Sequence, residues 1–308
     1  MPLLPLAAPY LCPSTPHISR SSILLTIPDA SALVSLVFLE GLFIFFFLFA
    51  LGDLVNCLTD RDLDAIYKPH LTEAVLGIGV RGVLLQAVGS GLAAVALAAH
   101  LSWRQDRWLI LGMTLAALFV AQAYSAEPLR LKRRGLWQLA FYWLGLFAGP
   151  MILSAFFFVD RPSTEVVAVA LSYGLLQTGV ILVNTAEDYP EDRQMGVRTA
   201  IVAVGPHRGV SLALGLTALG SVALLATLAS LCRERHLGTW FWAGALIPPT
   251  LSCAFVLRCF VRLRREIAGK SEADTIAVLK KTGRLAPILI TSVALGTLLS
   301  AVLLFLAP

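Results

Sequence analysis

Charge is scarce in this sequence, and that scarcity excludes a whole class of proteins. Only 14% of the 308 residues are charged, whereas soluble domains carry about 25%. Mean hydropathy is high, at +0.79. The five cysteines show no CxxC or other metal-ligand spacing, so neither a disulfide framework nor a cysteine-based metal site is expected. The low content of charged residues and the high mean hydropathy exclude a soluble globular domain. They indicate a protein that crosses a membrane several times.

Long apolar runs fill most of the chain. They lie at residues 31–55, 75–99, 108–123, 137–159, 165–185, 209–232, 238–260 and 285–306. A bilayer-spanning helix needs about 20 apolar residues, and helices are expected because lipid offers no partners for open backbone groups. The 238–260 run contains Pro248 and Pro249, which predict a kink there. The fold class is therefore all-α, a polytopic transmembrane bundle of eight to nine helices.

Residues 1–30 form a separate N-terminal segment, and residues 31–308 form the transmembrane domain. The segment is rich in proline and has one short apolar patch, Ile23–Ile27. No basic stretch precedes an apolar one, so a cleaved signal peptide is not expected. The segment is interpreted either as interfacial or as a short ninth helix.

Lysine and arginine residues are unevenly distributed between the predicted loops. Seventeen of the 24 lie in loops 56–74, 124–136, 186–208 and 258–284, which all fall on one side of the membrane. The positive-inside rule predicts that this side is cytoplasmic. In an integral membrane protein, a net charge of +5 does not indicate nucleic acid binding. The plasma membrane is the expected location.

Two acid-rich stretches lie on that same predicted face, each directly after an apolar run. The first stretch, residues 56–64, contains Asn56, Asp60 and Asp64 at a spacing of four. On a helix these three residues share one side. Asp53 lies one turn earlier on nearly the same side, whereas Asp62 is expected to point elsewhere, into solvent.

The second stretch, residues 184–192, repeats the spacing with Asn184, Asp188 and Asp192. Pro190 interrupts it, and proline is tolerated only in the first turn of a helix. A break or restart of the helix is therefore predicted near Asp188.

Carboxylates at a membrane boundary indicate cation chemistry, because charge within a membrane is expensive. Two such groups repel each other unless cations lie between them. Mg²⁺ suits this role, since it takes a few carboxylates and completes its shell with water and phosphate. Lys68, Arg130 and Lys132 are then candidates to bind phosphate oxygens. Taken alone, one Asp fits a helix cap as well as a ligand, and the run Arg130–Arg134 favours a membrane anchor. The paired pattern favours the metal site.

At these residues the chain resembles the UbiA superfamily of intramembrane prenyltransferases. Its first signature, NDxxDxxxD, is matched by Asn56, Asp60 and Asp64, with Cys57 in place of the second position. Its second signature, DxxxD followed by Gly and Thr, is matched by Asp188, Asp192, Gly196 and Thr199. The segment Tyr124–Gly135 is similar to the family's YSxPPxRLKxRG, with Glu127 in place of its first proline.

The resemblance implies nine helices around a central cavity that opens to lipid, and two Mg²⁺ ions bound to an isoprenyl diphosphate. It implies one metal on Asn56, Asp60 and Asp64, and the other on Asp188 and Asp192. Lys68, Arg130 and Lys132 would bind the diphosphate, with Asn56 and Asn184 beside them, and Tyr124 would steady the allylic cation.

The expected function is a Mg²⁺-dependent membrane prenyltransferase of isoprenoid biosynthesis. It would ionise an isoprenyl diphosphate, transfer the prenyl group to an aromatic or lipid acceptor and release pyrophosphate. A UbiA-type terpene cyclase, which needs no acceptor, is the first alternative. A cation or solute transporter, with the Asp residues as an ion path, is a distant second one.

Overall fold

The computed structural model describes residues 24–27 and 29–307, and all regular secondary structure within them is helical. Eight helices in that part of the chain are long and apolar enough to cross a membrane, which confirms the eight predicted spans and the all-α fold. A ninth helix, if it falls in residues 1–23, lies outside the described residues. The helices are α1 (Leu36–Tyr67), α2 (Pro69–Ile78), α3 (Val80–Gln105), α4 (Trp108–Ser125), α5 (Trp137–Phe156), α6 (Thr164–Asn184), α7 (Tyr189–Gln194), α8 (Ala200–Val204), α9 (Pro206–Glu234), α10 (Thr239–Ile267), α11 (Glu272–Gly283) and α12 (Ala286–Leu306).

The chain folds as two compact helical units. The described part of the first unit is residues 29–132, and that of the second is residues 24–27 and 133–307. The first unit therefore carries the first acid stretch, and the second unit carries the second acid stretch. The prediction of one transmembrane domain from residue 31 onward stays a prediction.

The first unit is built on the antiparallel pair of α1 and α3. Its apolar core contains Leu51, Leu54, Val55, Cys57, Val75, Val83 and Ala87. Pro69 begins α2, as is typical of a first helical position, where the missing N–H costs nothing. Gly79 has φ of 83°, a conformation that favours glycine, and it separates α2 from α3. This core holds the last turns of α1, and thus the first acid stretch, in place.

An ionic cluster lies at the other end of the same helix pair. Glu40 on α1 is buried, and its Oε1 lies 2.7 Å from Nδ1 of His100. Arg104 donates from Nη1 to both carboxylate oxygens, at 3.3 and 3.2 Å. Glu40 precedes Asn56 by four and a half turns, or roughly 24 Å along the helix. The cluster thus ties α1 to α3 at the end far from the first acid stretch.

Small residues let the helices of the second unit approach one another closely. A Cβ added to Gly220 of α9 would lie 2.4 Å from the backbone nitrogen of Leu176 on α6. A Cβ added to Gly174 would lie 3.0 Å from the carbonyl oxygen of Trp143 on α5. Close approach of this kind stabilises helix pairs in membranes. The segment of α5 that contains the GxxxG sequence Gly145–Gly149 therefore lies at a tight helix interface with α6.

The two prolines of α10 do not end that helix. Thr239–Ile267 is one continuous helix that contains Pro248 and Pro249. The carbonyl of Pro248 accepts a hydrogen bond from the Ser252 hydroxyl at 3.0 Å. Contacts with neighbouring helices and local adjustment of the backbone let a membrane helix tolerate proline.

Candidate active site

The first acid stretch lies in the last turns of α1. Because α1 runs unbroken from Leu36 to Tyr67, the predicted helical spacing of Asn56, Asp60 and Asp64 is confirmed. Asp64 is buried at 8% exposure, whereas the side chain of Asp62 is 90% exposed. The helix therefore separates one solvated carboxylate from the residues predicted to form the site.

Two basic side chains converge on Asp60. Lys132 Nζ donates to Asp60 Oδ2 and, at 2.9 Å, to Asn56 Oδ1. Arg130 Nη2 donates to Asp60 Oδ1 at 3.3 Å and to the carbonyl of Thr59 at 3.4 Å. The side chains of Lys132, Arg130 and Asp60 are only 9%, 15% and 15% exposed. The structure thus brings four predicted site residues together in one shielded, charged cluster.

A tight turn after α4 returns these basic residues to α1. The backbone N–H of Arg130 donates to the carbonyl of Ala126 at 2.9 Å. Arg130 has φ of 39°, and a 3₁₀ helix follows at Leu131–Arg133. Glu127, where the resembled family has proline, accepts from Arg130 Nη1 at 3.4 Å. That departure therefore supplies Arg130 with a second anionic partner.

One contact in this cluster was missed by the sequence reasoning. The hydroxyl of Ser125 donates to Asn56 Oδ1 at 2.9 Å, and Ser125 is buried. The only sequence signal for it was its place in the Tyr124–Gly135 motif. Tyr124 itself is half-buried at the end of α4, and Lys68 is half-buried directly after the last residue of α1. Their predicted roles in cation stabilisation and phosphate binding stay predictions.

Cys57 occupies the second position of the resembled signature, where the family has its first aspartate. Its side chain is buried at 8% exposure in the apolar core of the first unit, beside Val75 and Val83. An ionised carboxylate would be costly in those surroundings. The cysteine is thus a core residue here, and the acidic side of α1 is formed without it.

The second acid stretch has the interruption that Pro190 predicted. The α-helix α6 ends at Asn184, a 3₁₀ helix covers Thr185–Asp188, and α7 restarts at Tyr189 with the proline in its first turn. Asp188 is half-buried and Asp192 is buried at 8% exposure. The carboxylates of this stretch are therefore carried by short helical pieces, and not by one long helix.

The chain turns sharply directly after the second acid stretch. Gly196 has φ of 67°, which favours glycine. The N–H of Val197 donates back to the carbonyl of Asp192 at 2.7 Å. Thr199 is 6% exposed and directly precedes α8. The turn thus fixes the backbone at Asp192.

No preformed metal cage is present among residues 24–27 and 29–307: none of their His, Cys, Asp and Glu side chains form a group of three or more able to hold a metal ion. Mg²⁺ rarely uses such cages, because water and substrate phosphate supply most of its ligands. The oxygens of Asn56 and Asp60 both converge on the Lys132 ammonium. The ammonium occupies the place between these oxygens that a metal ion would take. The oxygens therefore fit a metal ion such as Mg²⁺.

The sequence profile described as the UbiA prenyltransferase family matches residues 22–275. The chain belongs to this family. The resemblance carried by the acid stretches is thereby confirmed, and eight apolar helices in a UbiA chain make it an integral membrane protein.

Curated relatives of this UbiA chain include pigment synthases. The chain is 31% identical over 216 residues to the bacteriochlorophyll synthase 33 kDa chain of Cereibacter sphaeroides, with 68% of this chain and 66% of that protein covered. It is 28% identical to the Rhodobacter capsulatus protein of the same name, with 58% of each chain covered. The chain thus spans under two thirds of the length of these relatives.

Solved structures of UbiA proteins share the fold along nearly the whole chain. A UbiA homologue from Archaeoglobus fulgidus bound to GPP and Mg²⁺ has a TM-score of 0.62 at 16% identity, and covers 95% of this chain and 98% of its own. A digeranylgeranylglyceryl phosphate synthase has a TM-score of 0.64 at 14% identity, with 94% and 93% covered. At such identities the likeness establishes the fold alone.

Proposed function

We propose that this UbiA protein is a Mg²⁺-dependent membrane prenyltransferase that uses an isoprenyl diphosphate donor. The observation that carries the proposal is the shielded cluster of Asn56, Asp60, Arg130 and Lys132, in which two oxygens converge on one cation. Cationic side chains fixed beside a metal-binding carboxylate suit a diphosphate, whose negative charge grows as it leaves. Membership of a prenyltransferase family supports the same activity.

Asn56, Asp60 and Asp64 would hold one Mg²⁺, and Asp188 and Asp192 would hold another. When bound, the metal neutralises charge on the diphosphate oxygens. Arg130, Lys132 and Lys68 would bind the phosphate oxygens together with Asn56, and Asn184 is a further candidate to bind phosphate. Tyr124 faces the allylic carbon and stabilises its developing positive charge.

Lys132 binds two partners, one before the donor binds and the other afterwards. Without donor its ammonium neutralises Asp60. When a diphosphate binds, the lysine turns from that carboxylate to a phosphate oxygen and thereby leaves the Asp60 oxygen for the cation. Arg130 keeps its fixed place between Glu127 and Asp60, so its planar group orients the donor.

The proposed acceptor is a chlorophyllide-type pigment, and the proposed product is its prenyl ester. The support is the 31% identity to a bacteriochlorophyll synthase. One oxygen of the pigment carboxylate forms a bond to the allylic carbon, while the bond from that carbon to the diphosphate oxygen breaks. The electron pair leaves with pyrophosphate. A carbocation needs only a weak nucleophile, so no strong general base is required.

The location is proposed from the charge pattern. The basic loops, including the turn that carries Arg130 and Lys132, face the cytoplasm, and the membrane is the plasma membrane. The donor's prenyl chain lies among the apolar helices, within the lipid-facing part of the protein.

A product screen tests this function. Purified protein in nanodiscs receives Mg²⁺ and donors of 10, 15 or 20 carbons, with a chlorophyllide, with a glycerol-based lipid alcohol, or with no acceptor. Mass spectrometry should detect a prenyl ester with chlorophyllide. The Asp60→Ala variant is the control for uncatalysed reaction. A cyclised hydrocarbon formed without acceptor would show that the protein is a cyclase and not a transferase. A prenyl ether of the lipid alcohol would show that the acceptor is a lipid alcohol and not a pigment.

A further inference from the structure

The second acid stretch is carried by pieces of helix too short to be stable alone. The 3₁₀ helix Thr185–Asp188 has four residues and α7 has six. Isolated helices shorter than about 12 residues are marginal in water. The two pieces follow α6 directly, and contacts from another helix add to what holds Asp188 and Asp192 in place.

Those contacts come from α11, in the loop between the last two spans. Lys280 Nζ donates to Glu191 Oε1 at 2.7 Å. Glu272 Oε1 accepts from Arg193 Nη1 and, at 3.3 Å, from the hydroxyl of Tyr189. Each of the three partners, Tyr189, Glu191 and Arg193, thus lies next in sequence to Asp188 or Asp192.

A third contact is steric. A Cβ added to Gly283 at the end of α11 would lie 2.6 Å from Oε2 and 3.3 Å from Cβ of Glu187. Real Cβ atoms essentially never lie 2.6 Å from another atom, and 3.3 Å is tighter than most Cβ contacts. Alanine at this position would therefore displace the Glu187 carboxylate, which now lies against the end of α11.

The helix α11 is itself anchored to the second unit. Thr275 and Leu279 are fully buried on the face that also carries Gly283. Thr275 Oγ1 lies 3.3 Å from Nε2 of His207 on α9. The helix α11 is thus fixed to the second unit. This anchoring holds Lys280 and Glu272 in place for their contacts with residues 189–193.

We propose that α11 is a clamp that positions Asp188 and Asp192, with Lys280 and Gly283 as its positioning residues. This inference rests on the proposed function, because it assigns the clamp a role in Mg²⁺ binding. The clamp touches neither metal nor donor. It acts through Glu187 and Glu191, which lie beside the two aspartates in sequence.

The test uses two variants with matched controls. Gly283→Ala inserts a wedge between α11 and Glu187, and Gly215→Ala makes the same change in a helix with no atom near the new Cβ. Lys280→Gln removes the ion pair. Lys281→Gln removes a neighbouring exposed charge that forms no ion pair with any described residue.

Hydrogen–deuterium exchange of residues 184–194 is measured first, in full-length protein without metal or donor. Gly283→Ala should speed exchange there by about tenfold, and Lys280→Gln by about threefold, as a half-exposed ion pair allows. Both controls should match wild type. Glu191→Gln should equal Lys280→Gln, and the double variant should add nothing, because the two residues share one interaction.

The second measurement is the Mg²⁺ dependence of pyrophosphate release. Gly283→Ala and Lys280→Gln should raise the Mg²⁺ concentration at half-maximal rate by about tenfold and threefold, with the rate at saturating Mg²⁺ within about twofold of wild type. If exchange rises and the Mg²⁺ dependence does not, or if neither variant differs from its control, the clamp is refuted. If Gly283→Ala does not fold, the surface variant Lys280→Gln decides. Wild type that releases no pyrophosphate with Mg²⁺ refutes the proposed function instead, and the exchange data then stand alone.

Discussion

Lys132→Met is the substitution that tests the proposed site most directly. Methionine keeps most of the length of the buried stem and removes the ammonium. Two hydrogen bonds disappear, one to Asn56 at 2.9 Å and one to Asp60. Asp60 keeps its bond to Arg130 at 3.3 Å. The carboxylate therefore loses its nearer cationic partner and keeps the farther one.

The two consequences have different sizes. Breaking a fully buried ion pair costs 3–5 kcal/mol, and the remaining arginine reduces this to about 2 kcal/mol of folding stability. A hydrogen bond from a charged group to phosphate contributes about 1.5–3 kcal/mol, so donor affinity should fall by roughly 10- to 150-fold. A role as counterion alone predicts the first effect without the second.

The double variant with Asp60→Asn separates these roles. Thermal unfolding in detergent should show that Lys132→Met alone lowers the melting temperature, and that adding Asp60→Asn restores part of the loss, because the unpaired charge is gone. Donor affinity should not recover in the double variant. Lys132→Arg is the control that keeps the charge.

One result would refute this reasoning. If Lys132→Met lowers the melting temperature but leaves the apparent donor affinity within about twofold of wild type, Lys132 serves Asp60 only, and the phosphate role passes to Arg130 or Lys68. An unchanged melting temperature would show that the contacts around Asp60 contribute little to folding.

Chelation by EDTA should stop pyrophosphate release and added Mg²⁺ should restore it, and turnover that survives chelation contradicts the metal site. Asp60→Ala should abolish pyrophosphate release while the protein stays inserted in the membrane. Asp62→Ala changes a side chain that is 90% exposed on the same helix, and it should keep the rate within about twofold of wild type. An equal loss of rate in both variants would contradict the helical register of the first acid stretch. Glu40→Gln should cost about 1–3 kcal/mol of stability, because it leaves Arg104 without its carboxylate at the far end of α1, and should leave turnover of the folded protein unchanged. A fall in turnover without a fall in melting temperature would contradict that structural role.

The fold and the register of the first acid stretch were predictable from local patterns. Each apolar run was long enough to fix a span, and the spacing of Asn56, Asp60 and Asp64 needed only helical periodicity. The break after Asn184 followed from one residue, Pro190, because proline cannot lie inside a helix without loss of a hydrogen bond. These inferences depend on neighbours within a few turns of the chain.

The contacts made across long separations were not predictable in this way. Ser125 and Asn56 lie 69 residues apart, and Lys280 and Glu191 lie 89 apart. In the sequence Cys57 differs from the family signature, and only the structure shows that it is a member of an apolar core. A single sequence gives the type of each side chain, but the choice of partner depends on how the helices pack.

The ionic cluster at Glu40 has a consequence for how the protein enters the bilayer. Glu40 is synthesised 60 residues before His100 and 64 before Arg104. Until α3 has emerged from the ribosome, a carboxylate within the first described span has no counterion, which is unfavourable in hydrocarbon. We therefore expect the two helices to enter the bilayer as one antiparallel hairpin, and arrest of synthesis between them should leave α1 poorly retained in the membrane.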